Sequence, residues 1–393
     1  MKAIPAYNLH DLRALAKKRL PKAVFEYVDR GVEDEVALLE NRNAFDRLKL
    51  LPRILEDLTG RSAASTLFGK PLAMPVAIAP TGSAGLVWFQ GELELARAAA
   101  QSDVPFTLAT NAMTSIETVA EQAGGRLWFQ LNMFADRRIS HEMVARAARC
   151  GFEALVLTAD ASVVPNREYN ARNGFALPFH LSPRAAVDML SHPRWFATVI
   201  GRYLLGPGLP VFANFPEKIR TRVTGFSTSK SAARCEDLSW EDVKALRRLW
   251  PRTLIIKGVL RPEDAVKAAN LGADAIVVSN HGGRTVDGTP APIDALPAIV
   301  SALKGGTTVL LDSGVRRGSD VLKARALGAD AVLIGRPTLY GAAIAGYEGV
   351  LHTLSLLRTE IERELGLTGY KSIDDIDAGL LASSCRHNRE VSQ

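Results

Sequence analysis

LGADAIVVSN at residues 271–280 is nearly repeated 56 residues later as LGADAVLIGR at 327–336. Each copy reads as a helix end, a glycine turn and a short apolar run rich in β-branched residues, the pattern of a strand buried on both faces. Working outward from this pair, six more runs of the same kind occur: MPVAIAP (74–80), FTLAT (106–110), LWFQL (127–131), ALVLTAD (154–160), LIIKG (254–258) and TVLLDS (308–313). With AIVVSN (275–280) and AVLIGR (331–336) they make eight. Stretches such as GELELARAAAQS, SHEMVARAARCG, RPEDAVKAANLG and RGSDVLKARALG lie between them. These have helical spacing and often finish at a glycine suited to a C-cap. Strands alternating with helices imply parallel βαβ units, and eight of them predict an α/β fold of the (β/α)8 TIM-barrel type. No GxGxxG follows an early strand, so a dinucleotide Rossmann site lacks support.

One domain is expected over residues 1–393. Residues 1–73 form an N-terminal helical cap, opened by Asn8 or Asp11, and residues 74–365 the barrel. An insert at 161–238 follows strand four, and 366–393 is a C-terminal tail. A βα loop lies at the C-terminal face of a barrel, where active sites are built, and loops beyond about 12–15 residues are usually functional or disordered.

The 393 residues are 47% apolar and 23% charged, which excludes disordered, collagenous and disulfide-scaffold classes. Cys150, Cys235 and Cys385 are far apart with no CxxC, and His, Asp and Glu never cluster at ligand spacing, so no metal site is expected. The sparse cysteines suit a reducing compartment. Residues 1–20 lack the apolar stretch of a secretory signal. The uncharged segment 71–91 is broken by Pro71, Pro75, Pro80, Gly82 and Gly85, and 196–212 is too short and is interrupted, so no transmembrane helix is expected. A cytoplasmic protein is anticipated, with peripheral attachment to the cytoplasmic face of the inner membrane as an option.

Polar residues at strand ends carry the chemistry. At strands seven and eight, Gly314 and Gly335 allow close backbone approach to an anion. Arg316 and Arg336 can neutralise it, and a helix opening after Arg336 adds N–H donors. His281 is the one histidine at a strand end among glycines, and Asp160, Arg167, Lys257 and Arg284 should converge with it. A carboxylate raises the basicity of an imidazole, and two arginines suit a substrate carboxylate. No GxSxG and no strand-end cysteine supports acyl transfer.

At these residues the chain resembles the FMN-dependent (S)-2-hydroxy-acid oxidase and dehydrogenase family, from about Leu9 to about Leu365. The resemblance rests on LPKAVFEYVDRGVEDE (20–35), NRNAFDRL (41–48), IAPTG (78–82), WFQL (128–131), LTAD (157–160), NRE (166–168), KGV (257–259), SNHGGR (279–284), LDSGVRRGSDVLKARALGA (311–329) and IGRP (334–337). HPRW (192–195), ANF (213–215) and SWEDVKALRRLWP (239–251) look most like its mandelate and membrane-bound lactate dehydrogenases. The resemblance implies oxidation of a mandelate- or lactate-like (S)-2-hydroxy acid to the 2-oxo acid, with electrons passing to quinone or another acceptor. It implies His281 as the base and Asp160 as the partner of its imidazolium. The proton comes either from the α-carbon or from the hydroxyl with hydride transfer, and both remain open. Arg284, Arg167 and Tyr27 match carboxylate contacts, and Lys257 matches the lysine near flavin N1 and O2. Pro80, Thr81, Gly82 and Ala109 fall against the cofactor. Gln130, Thr158 and Ser279 match contacts to its ring or ribityl chain, and Asp312, Gly314, Arg316, Gly335 and Arg336 match the ribityl and phosphate site. Family members are often homo-tetramers.

Three positions depart from the family pattern. Asn132 replaces a tyrosine that helps orient the substrate oxygen, Asn111 replaces a tryptophan of several oxidases, and Ala109 replaces a serine beside flavin. A roomier, amide-lined pocket is implied. An amino-acid-like or peptide-derived substrate, as in the branch resembling pre-mycofactocin synthase, and an oxygen-using hydroxy-acid oxidase are the alternatives. A non-redox phosphate-binding barrel is a weaker one.

The net charge of +6 has one location. Residues 177–235, from Leu177 to Cys235, hold eight basic residues (Arg184, Arg194, Arg202, Lys218, Arg220, Arg222, Lys230, Arg234) and two acidic ones (Asp188, Glu217), the whole excess of the chain. Trp195, Phe196, Tyr203, Leu204, Leu205, Val211, Phe212 and Phe215 are interleaved with them, a pattern that suits an anionic membrane surface. A lid or oligomer contact with a solvated basic rim is the alternative. No motif supports nucleic-acid binding.

Overall fold

The computed structural model describes residues 4–174, 183–216 and 235–382. Among the described residues there are ten strands: β1 (Ser65–Leu67), β2 (Lys70–Leu72), β3 (Val76–Ile78), β4 (Phe106–Ala109), β5 (Leu127–Leu131), β6 (Ala154–Thr158), β7 (Thr253–Val259), β8 (Ala275–Val278), β9 (Thr308–Leu311) and β10 (Ala331–Ile334). Strands β3 to β10 form one closed barrel in sequence order, with β10 paired in parallel to β3. Seven of the eight apolar runs contain one of these strands and the eighth, LIIKG (254–258), lies within β7, so the (β/α)8 expectation holds.

Alternation along the strands decides what the barrel contains. Leu155, Leu157, Ile256 and Ile276 belong to the main core with the surrounding helices, whereas Trp128, Val156, Ile255, Val277 and Leu310 fill a separate core inside the barrel. Two residues further along each of these inward series the chemistry changes, to Gln130, Thr158, Lys257, Ser279 and Asp312, all buried. The barrel is therefore apolar below and ringed with polar groups at its C-terminal mouth. The β1–β2 hairpin closes the other end: Leu67 and Leu72 join the inner core, and the ring of Phe68 lies 5.9 Å from that of Trp128.

The N-terminal segment holds three helices, of which the second and third reach the mouth. In α1 (Leu9–Arg19), the Asn8 side chain accepts from the Asp11 backbone N–H at 2.9 Å, the N-cap read from sequence. α2 (Lys22–Asp29) ends over the mouth, and α3 (Val36–Arg47) is tied to the loop after β8. There the side chains of Asn41 and Asn280 exchange two hydrogen bonds, at 2.9 and 2.8 Å. At the other end of the chain, the helix Tyr347–Thr368 stops at Gly369, whose φ of +77° gives a left-handed C-cap. Ile373, Leu380 and Leu381 beyond it are buried, and Leu381 bridges to Leu50.

The insert is anchored to the barrel by polar staples. Trp195 Nε1 donates to the Leu86 carbonyl at 2.8 Å, and Ala213 N–H donates to the Ala112 carbonyl at 3.0 Å. Asn214 Oδ1 accepts from Ile116 N–H at 2.9 Å. This corrects one part of the surface reading. Trp195 and Tyr203 are only 1% and 4% exposed, and Phe212 and Phe215 pack against the core, because their rings fill the space between insert and barrel. Between residues 183 and 216 the insert exposes Val187, Leu190, Phe196, Leu204 and Leu205, together with Arg194 and Arg202. Leu177, Glu217, Lys218, Arg220, Arg222, Lys230 and Arg234 lie outside the described residues, as does Cys385. Among the described residues no helix is long and apolar enough to cross a membrane, and no cluster could hold a metal ion.

Candidate active site

A cavity opens at the C-terminal mouth of the barrel. Tyr27, Pro80, Thr81, Gly82, Ala109, Gln130, Asn132, Thr158, Arg167 and Lys257 line it, with His281, Arg284, Asp312, Gly314, Arg316, Gly335 and Arg336. Of the residues singled out from sequence, Asp160 and Ser279 stand behind this wall, where Asp160 supports His281 and Ser279 supports both Lys257 and His281.

His281 sits in a turn that its own sequence forces. Its φ is +59°, followed by +70° at Gly282 and +68° at Gly283. Three left-handed residues in succession are tolerable largely because two are glycine. At Gly283 no side chain would fit, since an added Cβ would lie 2.7 Å from the Leu38 backbone nitrogen, and at Gly282 it would have to displace Arg336 Nη1, 2.6 Å away. The turn is pinned by Ser279 Oγ, which accepts from His281 N–H at 3.0 Å. Asp160 Oδ1 lies 3.0 Å from His281 Nδ1, so the protonated Nδ1 of a neutral ring donates to Asp160 and Nε2 carries the lone pair. Burial lowers the His281 pKa from its ordinary value. Asp160 opposes that shift, and the charges of Lys257 and Arg167 reinforce it. For Asp160 burial opposes ionisation, but His281 and Lys257 outweigh it and hold the carboxylate below its usual range.

Lys257 is buried at the centre of the mouth. Its Nζ lies 2.9 Å from Ser279 Oγ and 3.0 Å from Asp312 Oδ2. Burial works against its charge, and Asp312 and Asp160 more than restore it, so its pKa is raised. It stands as a fixed cation.

The arginines hold the cap as well as facing the cavity. Arg284 donates to the carbonyls of Arg30 at 2.7 Å and Tyr27 at 2.8 Å. Arg336 donates to those of Asp29 at 3.0 Å and Arg30 at 3.1 Å. These are the unsatisfied carbonyls at and just past the C-terminus of α2, the negative end of its dipole. Arg167 donates to the Arg284 carbonyl at 3.4 Å. Arg316 and Arg336 have no carboxylate within ion-pair distance among the described residues. Burial, and then neighbouring positive charge, lower both, Arg336 to about 10. Two adjacent cations short of an anion form a site that a phosphate would complete. The backbone beside them is set by Asp320, which accepts from Arg316 N–H at 2.7 Å and Arg317 N–H at 2.9 Å. Gly314 also has a packing reason to be glycine. Its φ is +91°, and an added Cβ would meet the Asn41 carbonyl and the Phe45 ring, so docking of α3 requires the glycine.

Several contributors escaped sequence reading. Thr110 Oγ1 accepts from Asn132 N–H at 2.9 Å and donates to the Gln130 carbonyl at 2.7 Å, and its place one residue past Ala109 was the available signal. Ser313 Oγ accepts from Gly282 N–H at 2.9 Å and donates to Asp312 at 2.8 Å, joining the loops after β8 and β9. Val28, Val315 and Leu339 also line the cavity. They arrive from the α2 end, a loop and a helix.

The chain matches the model of the family described as FMN-dependent dehydrogenase over residues 16–383. It is 40% identical to the (S)-mandelate dehydrogenase of Pseudomonas putida, over 95% of this chain and 93% of that one. It is also 40% identical to an L-lactate oxidase of Nostoc sp., over 95% and 97%, and 39% identical to the L-lactate dehydrogenase of Pectobacterium atrosepticum, over 94% and 95%. A crystal structure described as the monotopic membrane protein (S)-mandelate dehydrogenase superposes with a TM-score of 0.90 at 39% identity, over 96% of this chain and 100% of that one.

Proposed function

The chain belongs to the FMN-dependent dehydrogenase family and is an enzyme that oxidises a 2-hydroxy acid with FMN; from that premise we propose how its residues do so. The carrying observation is the His281–Asp160 pair, set between a buried lysine and cavity-facing arginines.

The cavity fits the cofactor. Arg316 and Arg336, short of an anion, would hold the phosphate, with Gly335 beside them. Asp312 and Ser279 would hold the ribityl chain, and Gln130, Thr158, Ala109, Pro80, Thr81 and Gly82 would wall the ring, with Lys257 adding positive charge. Bound FMN supplies the acceptor for the two electrons that leave the substrate.

The protein's own residues do the rest. Arg284, Arg167 and the Tyr27 hydroxyl bind the substrate carboxylate and fix the α-carbon before His281. With Nδ1–H committed to Asp160, His281 Nε2 takes the proton released as the hydroxy acid becomes the oxo acid. The lowered pKa keeps the ring neutral and ready at neutral pH, and Asp160 stabilises the imidazolium once formed. Anaerobic mixing with (S)-mandelate or (S)-lactate should bleach the flavin, and His281→Gln should retain FMN yet bleach at least about 10²-fold more slowly. A wild-type flavoprotein left yellow by every 2-hydroxy acid would refute the assignment.

Quinone is proposed as the electron acceptor and an anionic membrane surface as the working location. The support is the exposure of Val187, Leu190, Phe196, Leu204 and Leu205, together with Arg194 and Arg202, on an insert anchored from within. Leu204→Asp with Leu205→Asp should abolish flotation with phosphatidylglycerol vesicles while leaving flavin reduction intact. Reduced enzyme should pass electrons to a soluble quinone faster than to oxygen. Light scattering tests the homo-tetramer proposed from family resemblance.

A further inference from the structure

Two carboxamides line the cavity just past the ends of two neighbouring strands. Ala109 and Gln130 are register partners in β4 and β5. Asn111 and Asn132 each follow by two residues, and both line the cavity. A chain of hydrogen bonds settles what Asn132 presents. The backbone N–H of Thr110 can only donate, so the Gln130 atom 3.2 Å from it is the oxygen. Gln130 Nε2 is left to donate to Thr158 Oγ1 at 2.8 Å and to Asn132 Oδ1 at 3.0 Å. With Oδ1 engaged, Asn132 offers the cavity its Nδ2 group, a donor without acceptor capacity, and among the described residues nothing accepts from it. The Asn111 carboxamide has no protein partner among the described residues either, and Gly82 beside it carries no side chain to restrict it. It is free to present oxygen or nitrogen.

A hydrocarbon side chain packed here would strip water from both amides and return nothing. Sites built to hydrogen-bond a substrate group reject analogues that lack it far more strongly than apolar pockets reject a methylene. Resting on the hydroxy-acid reading above, we propose that the preferred 2-hydroxy acid carries a carboxamide or similar hydrogen-bonding group on its side chain, its carbonyl oxygen accepting from Asn132 and its N–H or O–H donating to Asn111. Asn111 and Asn132 then determine specificity, while the His281 machinery is common to every 2-hydroxy acid.

The test uses FMN-loaded enzyme and two acids of matched shape: 2-hydroxy-4-methylpentanoate, with an isobutyl side chain, and 3-carbamoyl-2-hydroxypropanoate, with an amide in its place. Anaerobic flavin reduction should give a kcat/KM about tenfold or more higher for the amide. Asn132→Leu should reverse the order, and Asn132→Ala should erase most of it. FMN binding, read from flavin fluorescence quenching, shows that each variant is folded. Calorimetric Kd values of the two 2-oxo acid products should follow the same order without turnover. Equal or faster reduction by the isobutyl acid, or an unchanged ratio in both variants, overturns the proposal and leaves the hydroxy-acid reading standing. Failure of these acids, mandelate and lactate alike to bleach the flavin overturns both.

Discussion

Gly258 presents the bare face of its α-carbon to the carboxylate of Asp160. A Cβ added there would stand 2.5 Å from Asp160 Cγ and 2.6 Å from its Cβ, and the glycine φ is +103°. The residue next to Lys257 thus makes room for the carboxylate that orients His281. Lys257, Gly258, Asp160 and His281 form one packed unit across β6, β7 and the loop after β8.

Gly258→Ala should separate the roles of position and presence. The methyl group displaces Asp160 and strains the backbone by about 1–3 kcal/mol. We expect the rate of flavin reduction to fall about 10–100-fold, as for loss of an orienting partner. FMN should still bind, since no phosphate contact is touched. Reduction kinetics and FMN titration on one preparation check both.

Asp160→Asn should change the pH profile with a definite sign. Asp160 raises the His281 pKa against burial, so its loss lowers that pKa further. His281 must be neutral to accept a proton, so the acid limb of kcat/KM, already below the ordinary histidine range, should move to lower pH. The plateau should fall about 10²–10⁴-fold, because the imidazolium loses its counter-charge. A limb that moves to higher pH would contradict the arrangement.

Arg316→Met should trade binding for stability. Among the described residues no carboxylate lies within ion-pair distance of the guanidinium, and burial is the main cause of its lowered pKa. Replacing a poorly compensated buried cation with an apolar side chain is often neutral or stabilising. Thermal unfolding of the apoprotein should therefore hold or rise, whereas the FMN Kd should rise at least about tenfold as a charge-assisted phosphate contact is lost.

Glu92→Gln should stabilise the protein increasingly with pH. Glu92 is fully buried at the start of the helix Gly91–Gln101, and burial raises its pKa. Its Oε1 accepts from Gly85 N–H at 3.2 Å and Met113 N–H at 3.1 Å, and Oε2 accepts from Thr114 Oγ1 at 3.1 Å. A raised folded pKa means that wild-type stability falls as pH climbs from the unfolded value of about 4.5 through the folded one. Glutamine keeps the acceptor and has no charge to bury. The Tm gain of Glu92→Gln should be near zero below pH 4.5 and grow above it, while Glu92→Ala should be destabilised at every pH.

Much of this site is legible locally because a barrel strand puts alternate residues on opposite faces. Reading two residues past Val156, Ile255 and Val277 reaches Thr158, Lys257 and Ser279 with no knowledge of the fold. The glycines of SNHGGR similarly announce a turn with positive φ. The donor polarity of Asn132 is not legible, because it depends on Thr110, just past β4, and on Gln130 in β5. Nor is the second task of Arg284 and Arg336, since the carbonyls they cap lie more than 250 residues away in the chain.

The sequence by itself determined the eight-strand barrel, the polar mouth and the residue types gathered there, because strand period, turn glycines and β-branched runs are properties of neighbours in the chain. Tertiary structure decided which of those residues touch. It joined Asn41 to Asn280, turned Gly314 toward α3, and left Arg316 and Arg336 short of an anion. It also took Trp195 and Tyr203 off the surface, where composition had placed them, and left Leu204 and Leu205 exposed. Burial of a side chain depends on what packs over it, and in each of these cases the partner comes from a distant part of the chain.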